Sequence, residues 1–441
     1  MNAALRANAP TSAAMRSFEA QWALRAQDAL APLRAQAMQR FLALGLPSSR
    51  DETWRYTNLR SLAGVQYIDA PPREGAELES FASLISSAQH ALTILVVNGY
   101  PRLRDSGNLE GIEIASLKDL LRAGSPLPAG MIEPVSDAED SRFDLLNAAL
   151  FVDGLHIRIT KNVPTPLLIL HVGLGADTDS AAYPRLIIDA APGASATIIE
   201  HHVSQGARTP LSNSNTRITL QRGAQLEHYR VFATASDTTH IDSLKIQQAQ
   251  DSHCRQFTVA LGGGLVRAAL HCELSQAGAT LDSHALLAGH DNRHIDCLNV
   301  VRHAAPHTTS RQTARAIASD SSRVIFNSKV IVNAGAEHAE SQQSCRGLLL
   351  SPTAEIDSRP QLEIHADEVK CAHGATTGRL DPDMLFYLLS RGLERNAAQS
   401  LLIFAFLADV LTGMSVLSAR TAIENALITQ LPDSQLLRTF R

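Results

Sequence analysis

Cys371 and His373 stand two residues apart in a segment that reads as a strand, so a thiol and an imidazole project from one face. Such a pair suits a soft metal or sulfur chemistry. Two ligands do not close a tetrahedral site, so iron or zinc held there must draw its other ligands from elsewhere. Open coordination is what a transient scaffold needs. Read from the residues alone, the pair is either functional or an exposed structural pair, and both readings stand at this point. Gly374 and Gly378 then release the backbone, and Asp381-Pro382 opens a helix with Asp at the N-cap and Pro at its first position. The pair therefore lies at a seam between strands and helices.

The seventeen histidines also invite a metal reading, above all His201-His202, His253-Cys254, His271-Cys272 and the run His284, His290, His294, His303 and His307. Neighbours on a strand face opposite sides, so no doublet chelates one ion by itself. The run 284–307 could stack on successive rungs of a repeat; half-buried strand histidines are the plainer expectation. The carboxylates Asp282, Asp296, Asp320, Glu355, Asp357 and Glu363 raise a rival class, a carbohydrate lyase or glycosidase. Low aromatic content argues against it, since sugars stack on aromatic rings. No G-x-x-x-x-G-K-[ST] occurs, and Gly262-Gly263-Gly264 has no Lys after it, so ATP hydrolysis by this chain is not expected. No hydrolase signature occurs either. The expectation is a chain that is not an enzyme.

The elements that must position these residues show in the texture of the chain. Charged residues are 19% and aromatics 5%, so the interior must be built from Ala, Val, Ile and Leu in narrow layers. Between about Phe151 and Thr377 short strands recur, many preceded by a small corner: Gly193-Ala194, Gly223-Ala224, Gly278-Ala279, Gly335-Ala336. A repeated corner-plus-strand unit predicts a solenoid, because each rung must turn tightly and stack on the next. The expected fold is mainly β, a right-handed parallel β-helix; a two-sheet sandwich fits the strand count nearly as well. Residues 1–140 read as a helical and mixed α/β segment, 141–380 as the β-helix core and 381–441 as a C-terminal helical segment. Within the first, Ser12 to Leu44 is helical with a break at Pro32, Ala91 to Val97 is a buried strand, and a linker falls near Pro126 to Asp140. Within the last, Asn396 with Gln399 reads as a capping box. Leu402, Phe406, Val410 and Met414 form a stripe that must meet the solenoid, another helix or a partner.

Net charge is -5 with no long run of one sign, which excludes a nucleic-acid or anionic-membrane footprint. Five widely spaced cysteines read as free thiols in a reducing compartment. The longest greasy stretch, Leu401 to Ala408, is far short of a membrane span, and no secretory signal is apparent, so a cytoplasmic protein is expected.

Two longer blocks carry a resemblance. SRPQLEIHADEVKCAHGATTGRLDPDMLFYLLSRGL, Ser358 to Leu393, resembles the signature of the SufB/SufD family of the SUF iron–sulfur cluster assembly system. LGLPSSRDETWRYTNLRSL, Leu44 to Leu62, resembles the family's N-terminal block. Cys371-Ala372-His373-Gly374 stands where SufB is glutamate-rich, which favours the SufD side. Ser344-Cys345-Arg346-Gly347 departs from the asparagines common in the family, and no role passes to Cys345. The resemblance implies a non-catalytic subunit that pairs with SufB through the β-helix and binds the SufC ATPase through its C-terminal helices, by way of Leu402, Phe406, Val410 and Met414. It implies that His373, with Cys371 less firmly, helps iron entry and assembly of a transient iron–sulfur cluster shared with SufB. ATP would be bound by SufC and not by this chain, a reduced flavin belongs to the cofactors proposed for the complex, and in isolation the chain would form a homodimer.

Overall fold

The computed structural model describes residues 12–25, 27–72, 92–103, 110–128, 131, 141–206 and 208–432. Its body is a parallel β-solenoid of about seven turns. Strands alternate between two sheets along the chain. One sheet carries His253–Ala260, Thr280–Gly289, Thr309–Ala318, Glu340–Leu349 and Lys370–Gly378 in order; the other carries Leu265–Leu274, His294–His303, Arg323–Val332 and Glu355–Ile364. Leu, Ile, Val, Ala and Cys side chains from both sheets fill the space between them. The small-residue composition thus serves a thin interior in which like rungs repeat.

The four Gly-Ala corners do what their residue types suggest. Gly193, Gly223, Gly278 and Gly335 all adopt positive φ, between 69° and 88°, where a side chain costs about 1–2 kcal/mol. The alanines after them are buried and close the corner with a single methyl. The glycine run 262–264 has a different cause: a Cβ on Gly262 would lie 2.4 Å from the carbonyl oxygen of Thr234. It is a close backbone approach, not a phosphate cradle.

The N-terminal segment is not separated from the solenoid at residue 140. Leu92–Val97 pairs in parallel with Leu167–Leu174, and Ile112–Ser116 pairs antiparallel with Leu155–Ile159. Both sheets therefore start before that boundary, and the early strands cover edges that would otherwise be open. Most of the expected linker lies outside the described residues. Helices Ala13–Ala23 and Ala31–Leu44 are separate, with Pro32 in the first turn of the second rather than at a break inside one helix. The block Leu44 to Leu62 is pinned to the outer face of the solenoid. Asp51 pairs with buried Arg142 at 2.9 Å, and the Arg267 guanidinium lies 4.0 Å from the centre of the Trp54 ring. Arg267 also pairs with Asp296, and Thr57 hydrogen-bonds Asp296 and His294.

At the other end, Asp381 caps helix Pro382–Ser390 by accepting from the amides of Asp383 and Met384. The expected capping box at Asn396 does not form: helix Arg395–Leu411 starts after Glu394 and has no side-chain cap. The predicted stripe is covered largely by the chain itself. Val410 and Met414 are buried with Ile403 and Leu407 against Tyr229, Phe257, Leu286 and Ile317 on the outside of the solenoid, while Leu402 and Phe406 are half-buried. The sheet supplies the apolar partner that the helices lack. Helix Leu417–Gln430 adds Ile423 and Leu427 to the same cluster.

Candidate functional site

Among the described residues Lys370–Gly378 is the last strand of its sheet and Glu355–Ile364 the last of the other, so both end the solenoid with an open edge. Nearly every residue of Lys370–Gly378 is exposed. His373 is opposite Gln343 and Cys371 is opposite Ser341 in the preceding strand. Cys371 packs against the end of the central core and is half-buried; His373, two residues on, is exposed. Burial pushes the Cys371 thiol up, with a backbone hydrogen bond at Ser341 working the other way, so the thiol is protonated at neutral pH. A Cβ on Gly374 would meet open space. The edge presents one imidazole, one thiol, unpaired backbone groups and room beside them.

His373 also ends a polar column inside the solenoid. Its register neighbours back along the sheet are Gln343, Gln312, Ser283, Gln256 and His228. Side chains of the facing sheet link them. Gln343 donates to Ser328 at 2.6 Å, Ser328 to Gln312 at 2.9 Å, and Asn299 to both Gln312 and Ser283 at 3.2 Å. Ser283 donates to Gln256, Gln256 to Thr258, and Arg230 to Thr258 and Asp242. Ser214 joins Asp242 to His240. A buried polar group without a partner costs about 1–3 kcal/mol; these links lower that cost, while Gln343 Oε1, Gln312 Nε2, Arg230 Nε and His240 Nδ1 are left without a partner among the described residues.

At the far end of the column Glu200 is buried among His171, His202, His228 and Thr216. It accepts from Thr216 at 3.0 Å and lies 2.8 Å from His228 Nε2, 3.2 Å from His171 Nε2 and 4.0 Å from His202 Nε2. Burial pushes its carboxyl up, but the imidazoles of His171 and His228 outweigh this and hold it well below the usual carboxylate range. His202 is driven the other way by burial and by its His171 and His240 neighbours, which keep its ring neutral.

The histidine run does not converge. His284 stacks on Phe257, His290 pairs with Asp291, His294 binds Thr57, His303 binds Thr308 and Ser310, and His307 stacks on His338. The carboxylates Asp282, Asp296, Glu355, Asp357 and Glu363 are tied to basic side chains: Asp282 to His253 and Arg311, Asp296 to Arg267, Glu355 and Asp357 to Arg323, and Glu363 to Lys329. Asp320 accepts instead from the Asp291 amide and Ser319. Glu200 and His202 share one strand, two residues apart, but His171, His228 and His240 come from three others, so the cluster is not visible in any one segment. The signal that could have found it is polar residues at inward positions recurring once per turn.

Architecture and site define a class: a two-sheet parallel β-solenoid with helices at both ends and a Cys-x-His pair on its open last strand. Residues 173–406 match the family model of the SUF system FeS cluster assembly SufBD core domain, and 16–168 that of the SufBD protein N-terminal region. The chain is 30% identical over 387 residues to the iron–sulfur cluster assembly protein SufD of Escherichia coli (strain K12), covering 86% of this chain and 88% of that protein. It is 29% identical over 384 residues to an iron–sulfur cluster assembly SufBD family protein of Synechocystis sp., covering 84% of each. The chain belongs to the SufB/SufD family, as a SufD-type member with a role in SUF iron–sulfur cluster assembly. Among the described residues no helix is long and apolar enough to cross a membrane.

Proposed function

We propose that this chain is a non-catalytic scaffold subunit of a cytoplasmic SufB–SufC–SufD complex, and that its open last rung meets SufB. The observation that carries this reading is the exposed edge Lys370–Gly378, with unpaired backbone groups and with Cys371 and His373 on one face. Parallel solenoids extend by adding a strand to such an edge, so a partner with a matching rung gains a full set of backbone hydrogen bonds. The nascent cluster is the cargo. His373 offers an imidazole nitrogen that ligates iron yet releases it readily, while the partner supplies the thiolate or carboxylate ligands. Cys371 is the weaker donor because its thiol is pushed up and half-buried. The same edge would let the isolated chain pair with a second copy, and a reduced flavin in the complex would serve reduction of iron or sulfur.

SufC, which binds the ATP, docks on the C-terminal helices in this reading. Since Val410 and Met414 face the solenoid, the docking surface is better sought on helix Pro382–Ser390. Met384, Phe386 and Tyr387 are exposed there, directly after the cluster strand. ATP-driven pairing of SufC would then pull on the segment that carries His373.

The test is iron and sulfide content of the anaerobically isolated complex. His373→Ala should lower both severely while leaving the thermal melt and gel-filtration profile unchanged, and Cys371→Ser should be milder. Wild-type cluster content in His373→Ala would make the chain a structural adaptor without a ligand role.

A further inference from the structure

Glu200, His171 and His202 form an internal site distinct from the open edge. The step from His228, beside Glu200, to His373 crosses five strand spacings of about 4.8 Å, roughly 24 Å. His171 and His202 are opposite one another in adjacent strands, with rings stacked 4.4 Å apart. One ring nitrogen of each and a Glu200 oxygen all lie within 4.8 Å of one another. His202 meets His240 edge-on at 4.7 Å, and His202, His240 and Asp242 form a second such group.

Hydrogen bonding within the protein does not account for these groups. Thr216 and His228 satisfy Glu200, and His171 Nε2 faces it at 3.2 Å, but among the described residues His171 Nδ1, His202 Nε2 and His240 Nδ1 have no hydrogen-bond partner. All three rings are at least nine-tenths buried. They line a cavity of about 20 Å³, which is room for one water or one ion. A lone water could bridge some of these nitrogens. It would not explain why two imidazoles and a carboxylate from neighbouring rungs converge on one point at a spacing that small movements bring to ligand distance.

We propose that His171, Glu200 and His202 bind one divalent first-row transition ion inside the solenoid, with His240 beside it. Two imidazoles and one carboxylate are the donor set of catalytic zinc and of non-haem iron(II) sites. The surrounding Thr216 and His228 orient the carboxylate as outer partners do in such centres. The site requires no partner subunit and no cluster, so its fate is independent of the role proposed for His373.

The test uses the full chain, stripped of metal under anaerobic conditions and titrated with cobalt(II), then iron(II) and zinc(II), with magnesium as the hard-ion control. The expected result is one cobalt per chain with visible d–d bands, displaced by zinc but not by magnesium. His202→Gln and Glu200→Gln should each weaken binding at least 100-fold with far-UV circular dichroism retained, and the surface variant His365→Ala should bind like wild type. X-ray absorption on the loaded wild-type chain should show imidazole nitrogen and carboxylate oxygen around the metal. That measurement decides the matter should both interior variants fail to fold. Absence of stoichiometric cobalt uptake, equal uptake by folded His202→Gln, or a sulfur-containing shell would overturn the proposal.

Discussion

Gln343 and His373 oppose one another across the last pair of parallel strands, Gln343 buried and His373 exposed. They occupy the same inward position of consecutive turns, and only the absence of another rung puts His373 in solvent. Gln343 donates inward to Ser328, while its Oε1 has no partner, on the last turn before the edge. The imidazole thus stands one register step beyond a hydrogen-bonded column that starts at Gln343 and runs into the solenoid as far as Asp242 and His240.

The column contains a buried ion pair, Arg230 with Asp242, neither of which is exposed at all. Arg230→Met should destabilise the protein by about 3–5 kcal/mol, because it leaves a buried carboxylate uncompensated. Combining it with Asp242→Leu should recover much of that loss. Urea unfolding of the two variants beside wild type checks it; equal stability of single and double variants would contradict it.

Acid should weaken the fold through His303. It is fully buried, and burial pushes its pKa down to about 4, with the hydrogen bond to Thr308 opposing. An unfolded histidine titrates near 6.5. Between these values the unfolded state binds more protons, so the contribution is complete above about pH 6.5 and is lost as pH falls towards 4. Going from pH 7 to pH 5 should cost roughly 2 kcal/mol from this residue. Urea midpoints measured across that range should fall, and less steeply in His303→Gln.

Two glycines should separate close approach from open space. Gly262→Ala drives a methyl onto the Thr234 carbonyl and should cost about 3 kcal/mol, the upper end for overpacking. Gly374→Ala meets nothing and should stay within about 0.5 kcal/mol. Thermal melts of the two variants distinguish them directly.

The C-terminal helices should divide into a structural face and a docking face. Leu407→Ala removes a fully buried side chain and should cost about 2–5 kcal/mol. Phe386→Asp, at 71% exposure, should leave the melt unchanged and weaken SufC binding at least tenfold. Binding measured by calorimetry with purified SufC checks this, and undiminished affinity in Phe386→Asp would move the docking surface elsewhere.

Much of this molecule is legible locally. A Gly-Ala pair marks a corner because φ near 70–90° excludes most side chains and one methyl fits the turn. Asp381-Pro382 marks a helix start because cap and first turn are made by adjacent residues. Cys371 and His373 share a face because a strand alternates with a period of two. What lies between turns is a matter of register, and no local pattern fixes which residue of one rung meets which of the next. His171, His228 and His240 reach the Glu200 and His202 pair only because successive strands stack in register across the sheet and the two sheets face one another. The stripe from Leu402 to Met414 was readable as apolar, but its partner was not. The solenoid's outer face, with Tyr229, Phe257, Leu286 and Ile317, exists as a surface only after four successive turns have been wound, and it covers Val410 and Met414 by proximity that sequence order does not contain.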